Sequence, residues 1–201
     1  MPLSHFVDSF AWAMSAVDVK RPQAANARTG IAYQPGIGPH TESQTVSLVI
    51  AHMAETSPVL YSTIEREVPY PSAPRSKCDL RIRVEGESWI VEAKMLRVMG
   101  DNGKPNDNIL MHILSPYSAH RSALTDCEKL VSSGFEGRKA VLIFGYEYEG
   151  FPMEPALWAF ETLARAKVRL SPRYEARMQN LVHPVHETGR VVAWEAAPLL
   201  R

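Results

Sequence analysis

Asp79, Glu92 and Lys94 are the residues whose types and spacing could do chemistry. They put two carboxylates and an ammonium into one stretch, KCDLRIRVEGESWIVEAKML, residues 77–96. Two alternating runs flank Glu85-Gly86, which predicts a β-hairpin with a two-residue loop and Gly86 at positive φ. If Val84 pairs with Glu87, then Ile82 lies across from Trp89, Leu80 from Val91 and Cys78 from Ala93. That face is apolar and must be core. The opposite face pairs Arg83 with Ser88, Arg81 with Ile90 and Asp79 with Glu92, and Lys94 lies two residues further along it. Two carboxylates about 5 Å apart at an effective dielectric of ~20 repel by roughly 3 kcal/mol. A divalent cation would offset this, since Mg²⁺ takes one or two carboxylates together with substrate phosphates. Lys94, about 7 Å along the strand, could reach the same phosphate or an attacking water. The same three residues would also suit a solvated sheet face of mixed charge, and spacing alone leaves both readings open.

Stepping outward in sequence, the hairpin needs elements to bury its apolar face. Thr41 and Gln44 form a T-x-x-Q capping box that starts a helix over 41–56. Val46, Val49, Ile50 and Met53 recur at helical spacing on its inner face, and Pro58 closes it. Residues 63–68 read as a strand ending before Pro69. After a polar loop (98–108), Ser115-Pro116 reads as an N-cap with Pro in the first turn, opening a helix over 116–132 that carries Leu124, Cys127, Leu130 and Val131 and stops at Gly134. KAVLIFG, residues 139–145, is apolar throughout and reads as a strand buried on both faces. Helices near 154–168 and 172–182 and a strand near 190–195 complete the chain. Residues 5–17 read as a short helix at best, and 20–40 as a long connector. The expected organisation is therefore one domain over 1–201, with an arm (1–40), a catalytic core (41–146) and C-terminal helices and a strand (147–201).

Asp79, twelve residues, then Glu92-Ala93-Lys94 resembles the motif of the PD-(D/E)XK nuclease superfamily. The order of elements over 41–146 is similar to the αβββαβ core of its restriction-endonuclease-like fold. The expected fold class is thus α/β with mixed α+β character, a central mixed sheet flanked by helices. The resemblance implies that Asp79 and Glu92 bind Mg²⁺ (with Mn²⁺ able to substitute), that the Ala93 carbonyl joins them, and that Lys94 orients or activates the nucleophilic water. Many members add a Glu from the first helix. Glu42, four residues before Val46, matches, although an acid in a first helical turn is also favoured by the helix dipole. Cys78 rather than Pro precedes Asp79, and the Q-x-x-x-Y signature of one branch is missing after the lysine. The implied activity is Mg²⁺-dependent hydrolysis of DNA phosphodiesters, with RNA not excluded. The alternative is a non-catalytic nucleic-acid-binding or interaction protein on the same fold.

The chain of 201 residues has 22 Lys and Arg against 22 Asp and Glu, so any phosphate contact must come from a local patch rather than overall charge. Lys20, Arg21, Arg28, Arg81 and Lys104 are nominated, with His120 and Arg121 beside the second core helix. A neutral 22.4 kDa chain has little surface for duplex DNA, which makes a homodimer with two sites attractive. No apolar run approaches the roughly 20 residues of a membrane helix, and the N-terminus lacks a basic start, so a cytoplasmic protein with no membrane partner is expected. Cys78 and Cys127 fit no zinc spacing and read as reduced, buried thiols. His183-Pro-Val-His186-Glu187 is a weak metal pattern, because the Pro breaks the helix that would align the histidines. Met95, Met99 and Met111 read as packing. No phosphate-binding glycine loop or nucleophile elbow is present.

Overall fold

The computed structural model describes residues 1–84 and 86–199. In chain order the elements are α1 (Leu3–Val19), α2 (Glu42–Thr56), the one-turn α3 (Pro58–Tyr61), β1 (Glu65–Tyr70), β2 (Ala73–Val84) and β3 (Glu87–Arg97). There follow α4 (Met111–Leu114), α5 (Ala123–Val131), β4 (Arg138–Glu147), α6 (Glu154–Arg165), β5 (Arg169–Leu170), β6 (Tyr174–Met178) and β7 (Thr188–Ala197). Among the described residues, seven strands form one mixed sheet ordered β1-β2-β3-β4-β7-β5, with β6 pairing β7 as well. β3 and β4 run parallel, and the other neighbours are antiparallel. The protein is thus of mixed α/β class, its sheet flanked by helices on both faces.

Alternation along the central strands builds the two cores. Ala140, Leu142 and Phe144 of β4 face α1 and α2, while Val141 and Ile143 face α5 and α6. Every one of these five is fully buried, as the uninterrupted apolar run predicted. The capping box of α2 forms with both of its bonds, and Val46, Val49, Ile50 and Met53 are buried.

Several expectations need correction. Residues 1–19 are no arm. α1 is 17 residues long and buries Leu3, Phe6, Val7, Phe10, Met14 and Val17 against the sheet, with Phe10 5.7 Å from the Phe144 ring. The connector 20–40 is tied to it, since the buried Asp18 carboxylate accepts from Ile37 N (2.8 Å) and Val182 N (2.6 Å). β1 runs through Pro69 instead of ending before it, which is tolerable because β1 is the sheet edge and Pro needs no inner N–H there. The helix placed over 116–132 begins only at Ala123. Ser115 is not its cap: Ser115 Oγ bonds His120 Nδ1 (2.7 Å), and Arg121 turns left-handed at φ 47°, so Ser122 caps α5 by accepting from Thr125 N. No helix covers 172–182. YEARM is β6, in which Tyr174, Ala176 and Met178 alternate inward with period two and pair with Gly189–Ala193 of β7. Among the described residues the C-terminal part therefore holds one helix and three strands. Gly86 has the expected positive φ of 82°, while Glu85 of the predicted loop lies outside the described residues, as do residues 200–201.

Candidate active site

The site lies where β2 leaves β3. The two strands pair from Val84–Glu87 to Leu80–Val91, in the register expected from the loop. Below Leu80 the ladder stops, and β2 continues against β1 alone, Cys78 pairing with Val68 and Lys77 with Pro69. The expected cross-strand pairs Asp79–Glu92 and Cys78–Ala93 are therefore not part of the ladder. Cys78 instead turns into the α5-side core, where burial pushes its thiol pKa up to about 12. Both cysteines are free and buried.

The departure of β2 exposes backbone donors of β3, and carboxylates take them. Ala93 N donates to Asp79 Oδ2 at 2.7 Å, and Met95 N donates to Glu42 Oε2 at 2.7 Å. Bonds to carboxylate acceptors are among the stronger ones in proteins, and each of these takes up only one of the two carboxyl oxygens. Burial raises the pKa of Glu42, against the opposing effects of Lys94 and the Met95 N–H.

Glu92 and Lys94 lie on the α5 side of β3, both buried, and α5 supplies their partners. Lys94 Nζ sits 2.8 Å from Asp126 Oδ2, 3.9 Å from Glu42 Oε1 and 3.3 Å from the Ala93 carbonyl oxygen. Lys129 Nζ lies 2.8 Å from Glu92 Oε1 and 3.0 Å from Asp126 Oδ1, and Tyr70 OH donates to that same Glu92 oxygen. Burial, then the charges of Asp126 and Asp79, hold Glu92 above the usual carboxylate range, with Lys129 opposing. For Lys94 burial acts the other way, but Asp126, Glu42, Asp79 and Glu92 outweigh it, so its pKa is raised and the ammonium stays charged. Four carboxyl groups (Glu42, Asp79, Glu92, Asp126) face two ammonium groups here, so acids outnumber bases.

Glu42, Asp79, Glu92, Lys94, Asp126 and Lys129 line one cleft of about 750 Å³. Of the nominated phosphate contacts, His120 and Arg121 line it, whereas Lys20, Arg21, Arg28, Arg81 and Lys104 do not. Lys20 is 4.0 Å from Glu55, and Arg81 is 3.4 Å from Glu65 with its guanidinium over the Phe135 ring. The cations that do line the cleft include Arg75 and Lys77, which sequence reasoning missed along with Tyr70, Glu67, Asp126 and Lys129. Asp126 and Lys129 stand i,i+3 within TDCEK and both lay on the helix expected over 116–132, but nothing local in sequence ties that pair to Glu92. Glu67 holds φ 55° in the middle of β1, a strained conformation for a side chain, and lies 3.3 Å from Lys77.

Asp79, Glu92 and the Ala93 carbonyl are hard oxygen donors beside further carboxyl groups, which suits Mg²⁺ when water and phosphate complete its shell. Among the described residues, no three His, Cys, Asp or Glu side chains are already drawn together as a metal cluster, so the protein offers two carboxylates and a carbonyl rather than a closed cage. His183 and His186 stack on one another at 4.7 Å, and His186 Nε2 is 3.1 Å from Asp101, a buried contact that ties loops together. No helix among the described residues is long and apolar enough to cross a membrane. Compared with known proteins, the chain gives no match to a family model, a curated protein or a solved structure.

Proposed function

We propose that this protein is a Mg²⁺-dependent nuclease of the PD-(D/E)XK type, hydrolysing DNA phosphodiester bonds on a restriction-endonuclease-like core. One observation carries the reading: Asp79, Glu92 and Lys94 line one cleft with Glu42, and basic side chains surround them. The order α2, β1, β2, β3, α5, β4 supports it by agreeing with the αβββαβ pattern.

Asp79, Glu92 and the Ala93 carbonyl would hold the ion, which when bound supplies Lewis-acid polarisation of the phosphate and a more acidic water. The protein's own residues do the rest. Lys94 is kept protonated by the surrounding acids, so it acts as a fixed cation rather than a base. It stabilises the negative charge that grows on phosphorus-bound oxygens as water attacks in line. Asp126 holds its Nζ in place from α5. Arg75, Lys77 and Arg121 offer phosphate contacts along the walls.

Plasmid and single-strand digestion with Mg²⁺, Mn²⁺ or EDTA tests the activity. Lys94→Ala should keep metal-induced stabilisation but lose turnover by about 10²-fold or more. Asp79→Asn and Glu92→Gln should lose both. Normal cutting by Lys94→Ala would overturn the assignment. A second reading, a nucleic-acid-binding protein without catalysis, is favoured by the closed ion pairs Lys94–Asp126 and Lys129–Glu92. It requires DNA binding with no cleavage under any divalent cation.

A further inference from the structure

Ser118, His120 and Arg121 line the cleft from a segment, residues 115–122, that is built more firmly than a loop needs to be. Ser115 Oγ bonds His120 Nδ1 at 2.7 Å and accepts from Tyr117 N at 3.3 Å, and Ser122 Oγ closes the segment on the Ser115 carbonyl at 2.6 Å. Within this frame the 3-10 turn Ser118–His120 ends at Arg121, which adopts φ 47°, ψ 48° although it is not glycine. A left-handed side-chain-bearing residue is a cost that persists only where its surroundings enforce it. The turn sets His120 and Arg121 against the cleft. Tyr117 stands beside them with its ring edge-on to His120 at 5.7 Å, yet 68% exposed, the most open aromatic ring among the described residues. An exposed ring carried on a braced backbone at the rim of the cleft, next to two phosphate-seeking side chains, has the makings of a base-stacking platform.

Resting on the nuclease reading of the same cleft, we infer that Tyr117, His120 and Arg121 form a subsite for an unstacked nucleotide of single-stranded DNA. Tyr117 stacks on the base, and His120 with Arg121 contacts the adjoining phosphates. A paired base inside a duplex hides both of its faces against its neighbours, so this platform selects a strand whose bases are free. The chemistry fits frayed ends, flaps or single strands better than intact duplex.

The test is binding in EDTA, read by fluorescence anisotropy of a short labelled oligothymidine and of a duplex of the same length, so that turnover plays no part. Tyr117→Ala should weaken single-strand binding by roughly tenfold, the scale of one lost base stack, while duplex binding changes little. Tyr117→Trp should restore it. Equal losses on both probes, or none on either, would overturn the inference, as would failure of the Trp variant to rescue. Since Tyr117 is exposed, unchanged melting temperatures serve as the folding control. The wild-type cleavage assay in Mg²⁺, run alongside, separates the two claims. Tyr117-dependent single-strand binding without any cleavage sinks the nuclease reading and leaves the subsite standing. Cleavage with Tyr117-independent binding does the reverse.

Discussion

Removing the Lys129 ammonium should destabilise the protein in a way that depends on pH. In Lys129→Met the aliphatic stem is kept and the charge 2.8 Å from Glu92 Oε1 is lost. Coulomb attraction at that distance, with an effective dielectric of ~20, is about 6 kcal/mol. The full value will not be seen, because the Lys129 side chain is 36% exposed and screened by water. Glu92 can also take up a proton instead of remaining an unpaired buried anion. A loss of about 2–3 kcal/mol is expected where Glu92 is forced to ionise. Burial, then Asp126 and Asp79, already raise the Glu92 pKa against the pull of Lys129. An acid whose pKa is higher folded than unfolded binds more protons in the folded state, so stability falls as pH rises from the unfolded toward the folded value. Without Lys129 the folded value rises further, and the variant goes on losing stability where the wild-type curve has levelled. Urea unfolding in EDTA should give a difference that grows by about 2 kcal/mol between pH ~5 and pH ~9, on top of a constant part from the lost Lys129–Asp126 pair. A difference that is uniform across pH, or greatest at the acid end, would refute this account of the cleft floor.

Three further substitutions probe the site and the sheet that carries it. Glu42→Gln keeps an acceptor for Met95 N and leaves the Thr41–Gln44 cap intact, so it should lower Mg²⁺ affinity in a calorimetric titration while costing at most about 1 kcal/mol of stability; unchanged metal affinity would make Glu42 purely structural. Gly145→Ala should unfold the protein or cost more than about 4 kcal/mol in urea, since its Cβ would stand 1.9 Å from the Leu96 carbonyl oxygen, whereas Gly150→Ala, with φ 77° and nothing within 4 Å, should lose only about 1 kcal/mol.

What the sequence made legible was whatever had a short-range physical cause. The T-x-x-Q cap, the apolar run of β4, and the hairpin register from Leu80–Val91 to Val84–Glu87 each follow from a few neighbouring residues. The failures came where distant partners decide. Residues 5–17 read as a short helix at best, but burial of Phe6, Phe10 and Met14 against the sheet extends α1 to 17 residues without a side-chain cap. YEARM is compatible with a helix locally and becomes β6 because β7 has an open edge to fill. Ser115-Pro116 has the form of a helix start, yet Ser115 spends its hydroxyl on His120 instead. Asp79, Glu92, Lys94 and Glu42 could be named as one set because spacing and resemblance converge on them. Tyr70, Asp126 and Lys129 could not, since only the folded crossover from β3 through α5 to β4 brings them to Glu92.

The same geometry explains why the carboxylates gather at this point of the sheet. A strand that loses its neighbour presents unpaired N–H groups, and leaving buried donors unmet costs about 1–3 kcal/mol each. β3 loses β2 below Leu80–Val91, and its donors at Ala93 and Met95 are met by Asp79 from β2 itself and Glu42 from the start of α2. Lys94 lies between those two donors in sequence and points to the other face, where Asp126 and Lys129 of α5 complete the charge pattern. The fork in the sheet therefore supplies the binding energy that holds the acids together against their repulsion. It leaves one oxygen of Asp79 and one of Glu42 free of backbone bonds, while the opening between β2 and β3 is the cleft. A substitution that zipped β2 back onto β3 at residues 79 and 93 would satisfy the same donors with carbonyl groups and abolish the cluster. The site is, in this sense, the structural consequence of where the hairpin stops pairing.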